Sequence, residues 1–327
     1  MKVPFETLKK EFKRVLLKLS LTEEKAELCA HTFAANSRDG VYSHGLNRFP
    51  AFVNTIIERQ INIEAEPVFA ERNGLIEIWD GKLGIGIHNA SLAMNRAIEL
   101  AKANGIGLVA MRNTNHWIRG GTYGRQAADA GCIGICFTNT MANMPPWGGK
   151  EPRLGNNPLI IAVPGENGHI VLDMAMTQFS YGKLQDTELK GRELPEYGGY
   201  DEAGNLTKNP SAIIQSRRAL PIGFWKGSGL SLMLDVLLTA ITGGRSTAAI
   251  DSTVRESGVS QFFLCLHKPD MNHQLIEEII RYTKSGTPAE PDGEILYPGE
   301  NIIRTRIENE RHGIPVNEKI WNQVLEM

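Results

Sequence analysis

Charge of one sign is scarce in this chain. Its 327 residues carry 35 Lys and Arg against 37 Asp and Glu, a formal net charge of -2. No global field exists to hold a polyanion, which argues against nucleic acid or an anionic membrane surface as partner. Long hydrophobic runs are scarce too. The longest, Leu230 to Ile241, is interrupted by Ser231, Asp235 and Thr239 and falls short of the roughly 20 apolar residues that cross a bilayer. The opening stretch MKVPFETLKKEFKRVLLKLS has neither an uninterrupted apolar core nor a small-residue cleavage site and reads as a mature cytoplasmic helix. Cysteine is rare: Cys29, Cys132, Cys136 and Cys265 sit in apolar surroundings without a C-x-x-C pair. On a strand, Cys132 and Cys136 of GCIGICF share a face, which predicts buried, reduced thiols.

Familiar nucleotide and metal signatures are missing as well. The segment closest to a dinucleotide fingerprint, GKLGIG at Gly81 to Gly86, has the spacing G-x-x-G-x-G and no acid about 20 residues on at the end of a second strand. It reads as a glycine-rich turn before a helix from Asn89. No G-x-x-x-x-G-K-[ST] occurs, and the 8 histidines include no H-E-x-x-H pair, so a catalytic metal is not expected.

What is present is an alternation of helix and strand. The length exceeds one ordinary core, which predicts two unequal, interlocked lobes. Leu8, Phe12, Val15 and Leu16 recur at helical spacing, and Ser20 with Glu23 suggests a capping box for the next helix. GLIEIWDG alternates like a strand; NASLAMNRAIELAKANG, IGLVAMR, TYGRQAADAG and CIGICFTN follow as helix, strand, helix and strand. NPLIIAVPGENGHIVLDMA predicts a hairpin turning at Pro164 to Gly168, WKGSGLSLMLDVLLTAITGG an apolar helix, and VSQFFLCLH a buried strand. Tyr181 to Asn209 lacks clear periodicity and reads as a functional loop or flap. We expect an α/β protein with three parts: a helical segment 1–75 carrying His44 and Arg48, an α/β cofactor-binding core 76–270 with a flap around 181–218, and a helical segment 271–327 packing back on the first.

His44 and Arg48, in YSHGLNRFP, are separated by one helical turn. A histidine suits proton transfer near neutral pH and an arginine suits bidentate capture of a carboxylate. Pro50 leaves two readings, one kinked helix or a short turn carrying His44 followed by a helix from about Phe49. A capped helix entrance with a solvated arginine remains the alternative to a catalytic pair. His116, in RNTNHWIRGGTYG, follows a strand's carboxyl end, where α/β sheets place ligand groups, although a histidine bonded within its own loop fits equally. MPPWGGKEPRLGNNP either lines a site or simply turns the chain. Asp173 is an acid in an apolar strand and needs a partner, either His44 or a backbone cluster. Lys226 opens a helix whose amides suit a phosphate, or is merely solvent-exposed.

Taken together, YSHGLNRFP, GIGLVAMRNTNHWIRGGTYG, PPWGGKEPRLGNNPLIIAVP, VLDMA, WKGSGLSLMLDVL, YPGEN and HGIPVNEKIW resemble, in order, the type-2 malate/L-lactate dehydrogenase family. The resemblance implies a non-Rossmann NAD(P)-binding α/β fold, a mixed sheet with surrounding helices and a helical amino-terminal segment. It implies a cytoplasmic homodimer that reduces a small 2-oxo acid with NADH, or alternatively NADPH. GVYSHGLNRFP, NHWIRGGTYG, MPPWGGKE, SYGKL and GFWKGSG are most similar to the branch that turns 2,3-diketo-L-gulonate, a 2-oxo sugar acid, into 3-keto-L-gulonate. By that resemblance His44 is the proton donor with Ser43 beside it, Arg48 binds the substrate carboxylate, His116 is the second histidine and Asp173 the active-site acid. The cofactor falls to His169, Ile170, Val171, Leu172, Asp173, Met174 and Ala175, with Trp225, Lys226, Gly299, Glu300 and Asn301. Two rivals stand beside this reading: the same chemistry on another 2-oxo acid of malate/lactate or ureidoglycolate type, and a sugar-acid or nucleotide-binding protein without turnover.

Overall fold

The structure is a computed structural model that describes residues 1–253 and 255–327. From β1 (Lys2–Val3) the chain runs through α1 (Phe5–Lys18), α2 (Glu23–Arg38), 3-10 turns at Tyr42–His44 and Leu46–Arg48, and α3 (Phe49–Ile57). The core then follows as β2 (Val68–Asn73), β3 (Ile76–Asp80), α4 (Gly86–Asn104), β4 (Ile106–Thr114), α5 (Gly120–Asp129), β5 (Cys132–Thr138), β6 (Leu159–Val163) and β7 (Ile170–Met174). Next come α6 (Tyr181–Leu189), β8 (Gly199–Tyr200), β9 (Leu206–Thr207), α7 (Pro210–Ser216), α8 (Trp225–Thr242), α9 (Thr247–Asp251) and β10 (Val259–His267). The chain closes with α10 (His273–Lys284), α11 (Glu300–His312), β11 (Ile314–Pro315) and α12 (Glu318–Glu326). Among the described residues no helix is long and apolar enough to cross a membrane.

The main sheet has 7 strands in the order β2-β3-β4-β10-β5-β6-β7. β3 and β4 are parallel, and every other neighbouring pair is antiparallel. β10 is the reason this sheet differs from a doubly wound one. Its run VSQFFLCLH is apolar on both faces, as a central strand requires, and it lies between β4 and β5. The two successive helix-strand steps are thereby held apart, and the crevice in which a parallel α/β sheet seats a dinucleotide does not form.

One face of the sheet is covered by α4 and α5, through Ala90, Met94, Ala97 and Tyr123 packed on Val109, Met111 and Phe263. The helix backbone comes so close that a Cβ on Gly107 would lie 2.4 Å from the Ala97 carbonyl oxygen. The other face packs on α8 through Leu234 and Leu238 against Phe137 and Phe262. All four cysteines are buried and free.

The amino-terminal helices build their own apolar cluster, in which Phe33 meets Phe12, Phe49 and Phe52 at ring separations of 6.2, 5.2 and 5.1 Å. Trp321 and Val324 of α12 join it, and β1 pairs with β11, Val3 opposite Ile314. The last residues of the chain therefore stabilise the first.

Two details differ from expectation. The α2 cap is Thr22, whose hydroxyl accepts from the Lys25 N–H at 3.3 Å; Ser20 instead takes a left-handed turn conformation (φ 66°). Residues 181–218 are not an irregular loop. They fold as α6, the β8–β9 ladder and α7 around Leu184, Leu194, Ile213 and Ala219. Each element there is too short to repeat a hydrophobic period, which hid it from pattern reading.

Phe33 touches three other rings at full burial. Phe33→Ala is expected to destabilise the chain by about 3 to 5 kcal/mol, read from urea midpoints at unchanged slope.

Candidate active site

The turn that carries His44 follows from local chemistry. α2 stops at Asp39, Gly40 adopts φ +78°, and the Val41 N–H returns to the Asn36 carbonyl at 2.9 Å. Gly45 then lies on α2 so tightly that a Cβ would sit 2.2 Å from Ser37 Oγ, while that hydroxyl accepts from the Leu46 N–H at 2.9 Å. Pro50 occupies the first turn of α3, where its missing N–H costs nothing. Of the two sequence readings, the structure has the turn followed by a helix. His44 and Arg48 occupy separate 3-10 turns rather than one helix face, yet both line the same cavity of about 420 Å³.

That cavity also takes Ser43, His116, Asp173, Ala175, Tyr181 and Glu256. The His44 and His116 rings are stacked, 6.3 Å apart at 18°. Ser43 Oγ lies 3.0 Å from His44 Nδ1, and Asn36 holds the His44 carbonyl through a 3.0 Å hydrogen bond. His116 Nδ1 accepts from the Ile118 N–H at 2.9 Å, which leaves its proton on Nε2. The flap contributes Gly182, where a Cβ would be 2.6 Å from Ser43 Oγ and 3.3 Å from the His44 ring. Only glycine fits where α6 meets the histidine turn.

Asp173 does have partners. Its Oδ2 accepts from the Gly121 N–H at the start of α5 (3.0 Å) and from Arg119 Nε (3.4 Å). Arg119 also donates to Asp39 Oδ2 at 3.0 Å, and Asp39 receives Arg306 Nε at 2.7 Å. Neither Arg119 nor Asp39 was singled out by spacing, because an arginine and an acid far apart in sequence carry no pattern. Their only sequence signal was Arg119's place beside His116 in the NHWIRGG segment.

Desolvation dominates the histidines. Burial pushes His44 down to about 4; Asp173 pulls it back up, and Arg48 and Arg119 lower it further. Burial, then Arg48 and His44, hold His116 well below the usual imidazole range. Both histidines therefore favour the neutral form, and a negative charge beside His44 raises its affinity for a proton.

A second cleft of about 720 Å³ lies beyond Asp173, lined by His169, Val171 and Gly299 together with Asn36, Arg119, Gly121 and Arg306. Strand alternation decides which of the expected residues face it. His169, Val171, Asp173 and Ala175 reach the two cavities, whereas Ile170 and Leu172 line neither and Met174 packs into the core with Phe137. Glu300 is held by Lys284 and Arg304, and Asn301 is exposed. Trp225 and Lys226 stand at the exposed start of α8 and line none of these cavities.

Comparison with known proteins now bears on the site. Residues 3–325 match the family model described as malate/L-lactate dehydrogenase. The chain belongs to that family. A 2,3-diketo-L-gulonate reductase of Citrobacter koseri is 46% identical over 330 residues, covering 99% of both chains. One of Escherichia coli is 45% identical over the same span and coverage. Among solved structures, the sulfolactate dehydrogenase of Methanocaldococcus jannaschii is 32% identical, with a TM-score of 0.88 over 100% of this chain and 96% of that one. The fold is that of the family, and the chain is an oxidoreductase acting on a CH–OH or oxo group.

Family membership implies a nicotinamide cofactor, and the larger cleft fits one. Arg38, Arg125 and Arg306, each also paired with an acid, line it beside the amino-terminal end of α5, whose amides suit a phosphate. Arg38 Nε is a buried donor without a hydrogen bond, 3.5 Å from Asp39 Oδ1. Gly299, at φ +95°, brings its backbone against Val171, where a Cβ would be 3.2 Å from the Val171 nitrogen. At that φ and spacing a side chain would be strained.

Asp173 is the group that raises His44 toward protonation. For the reductive direction kcat/KM is expected to rise as pH falls, following the protonated fraction of His44. Asp173→Asn removes the raising charge, so the profile should move to lower pH and the rate at neutral pH should drop; a profile that stays in place refutes the coupling.

Proposed function

We propose that this chain reduces 2,3-diketo-L-gulonate to 3-keto-L-gulonate with NADH, His44 acting as proton donor. The observation that carries the proposal is the convergence of Arg48, His116 and His44 on one cavity that meets the larger cleft at Arg119, which lines both. The full-length relatives named for that reaction support the choice of substrate.

Each step is assigned to a residue. Arg48 fixes the substrate carboxylate; of the cations lining the cavity, Arg119 and Arg217 are already paired with acids, and among the described residues Arg48 is not. His116, through Nε2–H, donates to the carbonyl oxygen and draws charge toward it. A nicotinamide held in the larger cleft would supply the hydride for the carbonyl carbon. His44 gives the proton on Nε2 to the oxygen as it becomes an alkoxide, and in its charged form donates from Nδ1 to Ser43 Oγ. Tyr181 and Gly182 of the flap exclude water above it. Asp129 and Glu166 at the cleft suit a ribose hydroxyl better than a 2′-phosphate, which supports NADH over NADPH.

Loss of NADH absorbance across a panel of 2-oxo acids, repeated with NADPH, tests this reading. 2,3-Diketo-L-gulonate with NADH should give the highest kcat/KM, and a higher value for a malate-type oxo acid would overturn the substrate. His44→Asn should lower kcat by roughly 10² to 10⁴-fold. Cofactor binding without turnover of any acid would favour a non-catalytic binding protein.

The same reading includes a cytoplasmic homodimer. Four buried free cysteines suit a reducing compartment. Trp225, Leu232, Met233, Val236 and Leu237 make an exposed apolar stripe along α8 at helical spacing. A second copy of the chain covers that stripe, and with it Trp225 and Lys226. Light scattering should give about twice 36.1 kDa, and Met233→Glu should shift the protein toward monomer and weaken NADH binding. A wild-type monomer would exclude the dimer.

A further inference from the structure

Glu256 stands at a junction. Together with Arg48, His116 and Ile118 it lines both the reacting cavity and a neighbouring cavity of about 360 Å³. That neighbour runs along α3 past Thr55 and Gln60 and ends at an ion pair, Arg255 to Glu58 at 2.7 Å. Glu256 Oε2 accepts one hydrogen bond, from the Met141 N–H at 3.3 Å. Burial raises its carboxyl above the ordinary range, opposed by that bond and by Arg48. Its carboxyl oxygens can accept from an alcohol hydroxyl.

We propose that Glu256 reads the hydroxyl-bearing tail of the substrate and rejects a second carboxylate, the tail passing from the reacting cavity into the one beside it. The inference rests on the proposed function and adds to it the residue that selects among 2-oxo acids. Arg48 is committed to the carboxylate next to the carbonyl, and the far-end arginine is committed to Glu58. A dicarboxylic substrate would bring its second charge against Glu256, with the one arginine at the far end already paired with Glu58, while hydroxyl groups find Glu256, Thr55 and Gln60 as partners.

The test compares three substrates in the full-length enzyme and in Glu256→Gln and Glu256→Ala: 2,3-diketo-L-gulonate, pyruvate, which has no tail, and oxaloacetate, which has a second carboxylate. The ratio of kcat/KM for diketogulonate over pyruvate should fall on the order of tenfold in Glu256→Ala, mainly through KM, and less in Glu256→Gln, which keeps a hydrogen-bonding group. The ratio for oxaloacetate over pyruvate should rise in both variants. Ratios that stay constant while all three rates fall together mean that Glu256 only supports the fold, and the inference is overturned. If the wild-type enzyme reduces pyruvate but not diketogulonate, the proposed function fails on its own account. The oxaloacetate ratio then decides for or against Glu256 independently.

Discussion

The structure depends on a charge that has been taken out of water. Arg119 is 7% exposed and sits between Asp39 at the end of α2 and Asp173 on β7. Isolated, a guanidinium at that depth would cost several kcal/mol in lost hydration. Two carboxylates offset the cost, and Asp39 in turn receives Arg306 from α11. Burial alone would disfavour the Asp39 anion, but Arg306 and Arg119 outweigh it and hold its carboxyl below the usual range. Through these four groups the amino-terminal helices, the central sheet and the carboxyl-terminal helix are fixed to one another. His44 lies on the first of these parts, Asp173 on the second and part of the larger cleft on the third.

Topology explains why so many segments are needed. With β10 between β4 and β5, the sheet offers no single crevice where one glycine-rich turn could seat a dinucleotide. The larger cleft lies at the edge strand β7 instead. Its outer side is met by the loop before α11, where the Val171 N–H donates to the Pro298 carbonyl at 2.9 Å and Gly299 follows. The cleft is thus built from a strand edge, a helix start and two distant helices. Each contribution is short, which is why a compact fingerprint is absent from the sequence.

Legibility followed the same division. Elements with a long period were readable, including the strands around α4 and α5, the hairpin and the buried β10, because burial on one or two faces imposes a pattern. His44 and Arg48 were visible as residue types whose chemistry is specific, but spacing left open both their function and whether a kinked helix or a turn before α3 carries them. The ordered set of segments supplied the rest. Arg119, Asp39 and Glu256 were not legible: a buried ion pair joins positions 80 residues apart in the case of Asp39 and Arg119, and Glu256 gains meaning only from two cavities that meet beside it. Trp225 and Lys226 show the opposite limit. They stand out in sequence, yet one chain does not bring them to its own cleft.

The electrostatics of His44 give this arrangement a direction. In the empty cavity, burial and two arginines keep the ring neutral, with its affinity for a proton depressed to about 4. An oxo acid bound at Arg48 cancels one of those positive charges and brings a carboxylate near the ring. Anion binding and proton uptake are then linked, each strengthening the other by the same free energy. The acid is created when there is something to protonate. An alcohol product carries the same carboxylate but leaves His44 without its proton, so neutral His44 is the form that meets the substrate of the reverse reaction. Under the proposed mechanism one buried imidazole, poised by Asp173 and Arg119, would serve both directions, with pH selecting between them.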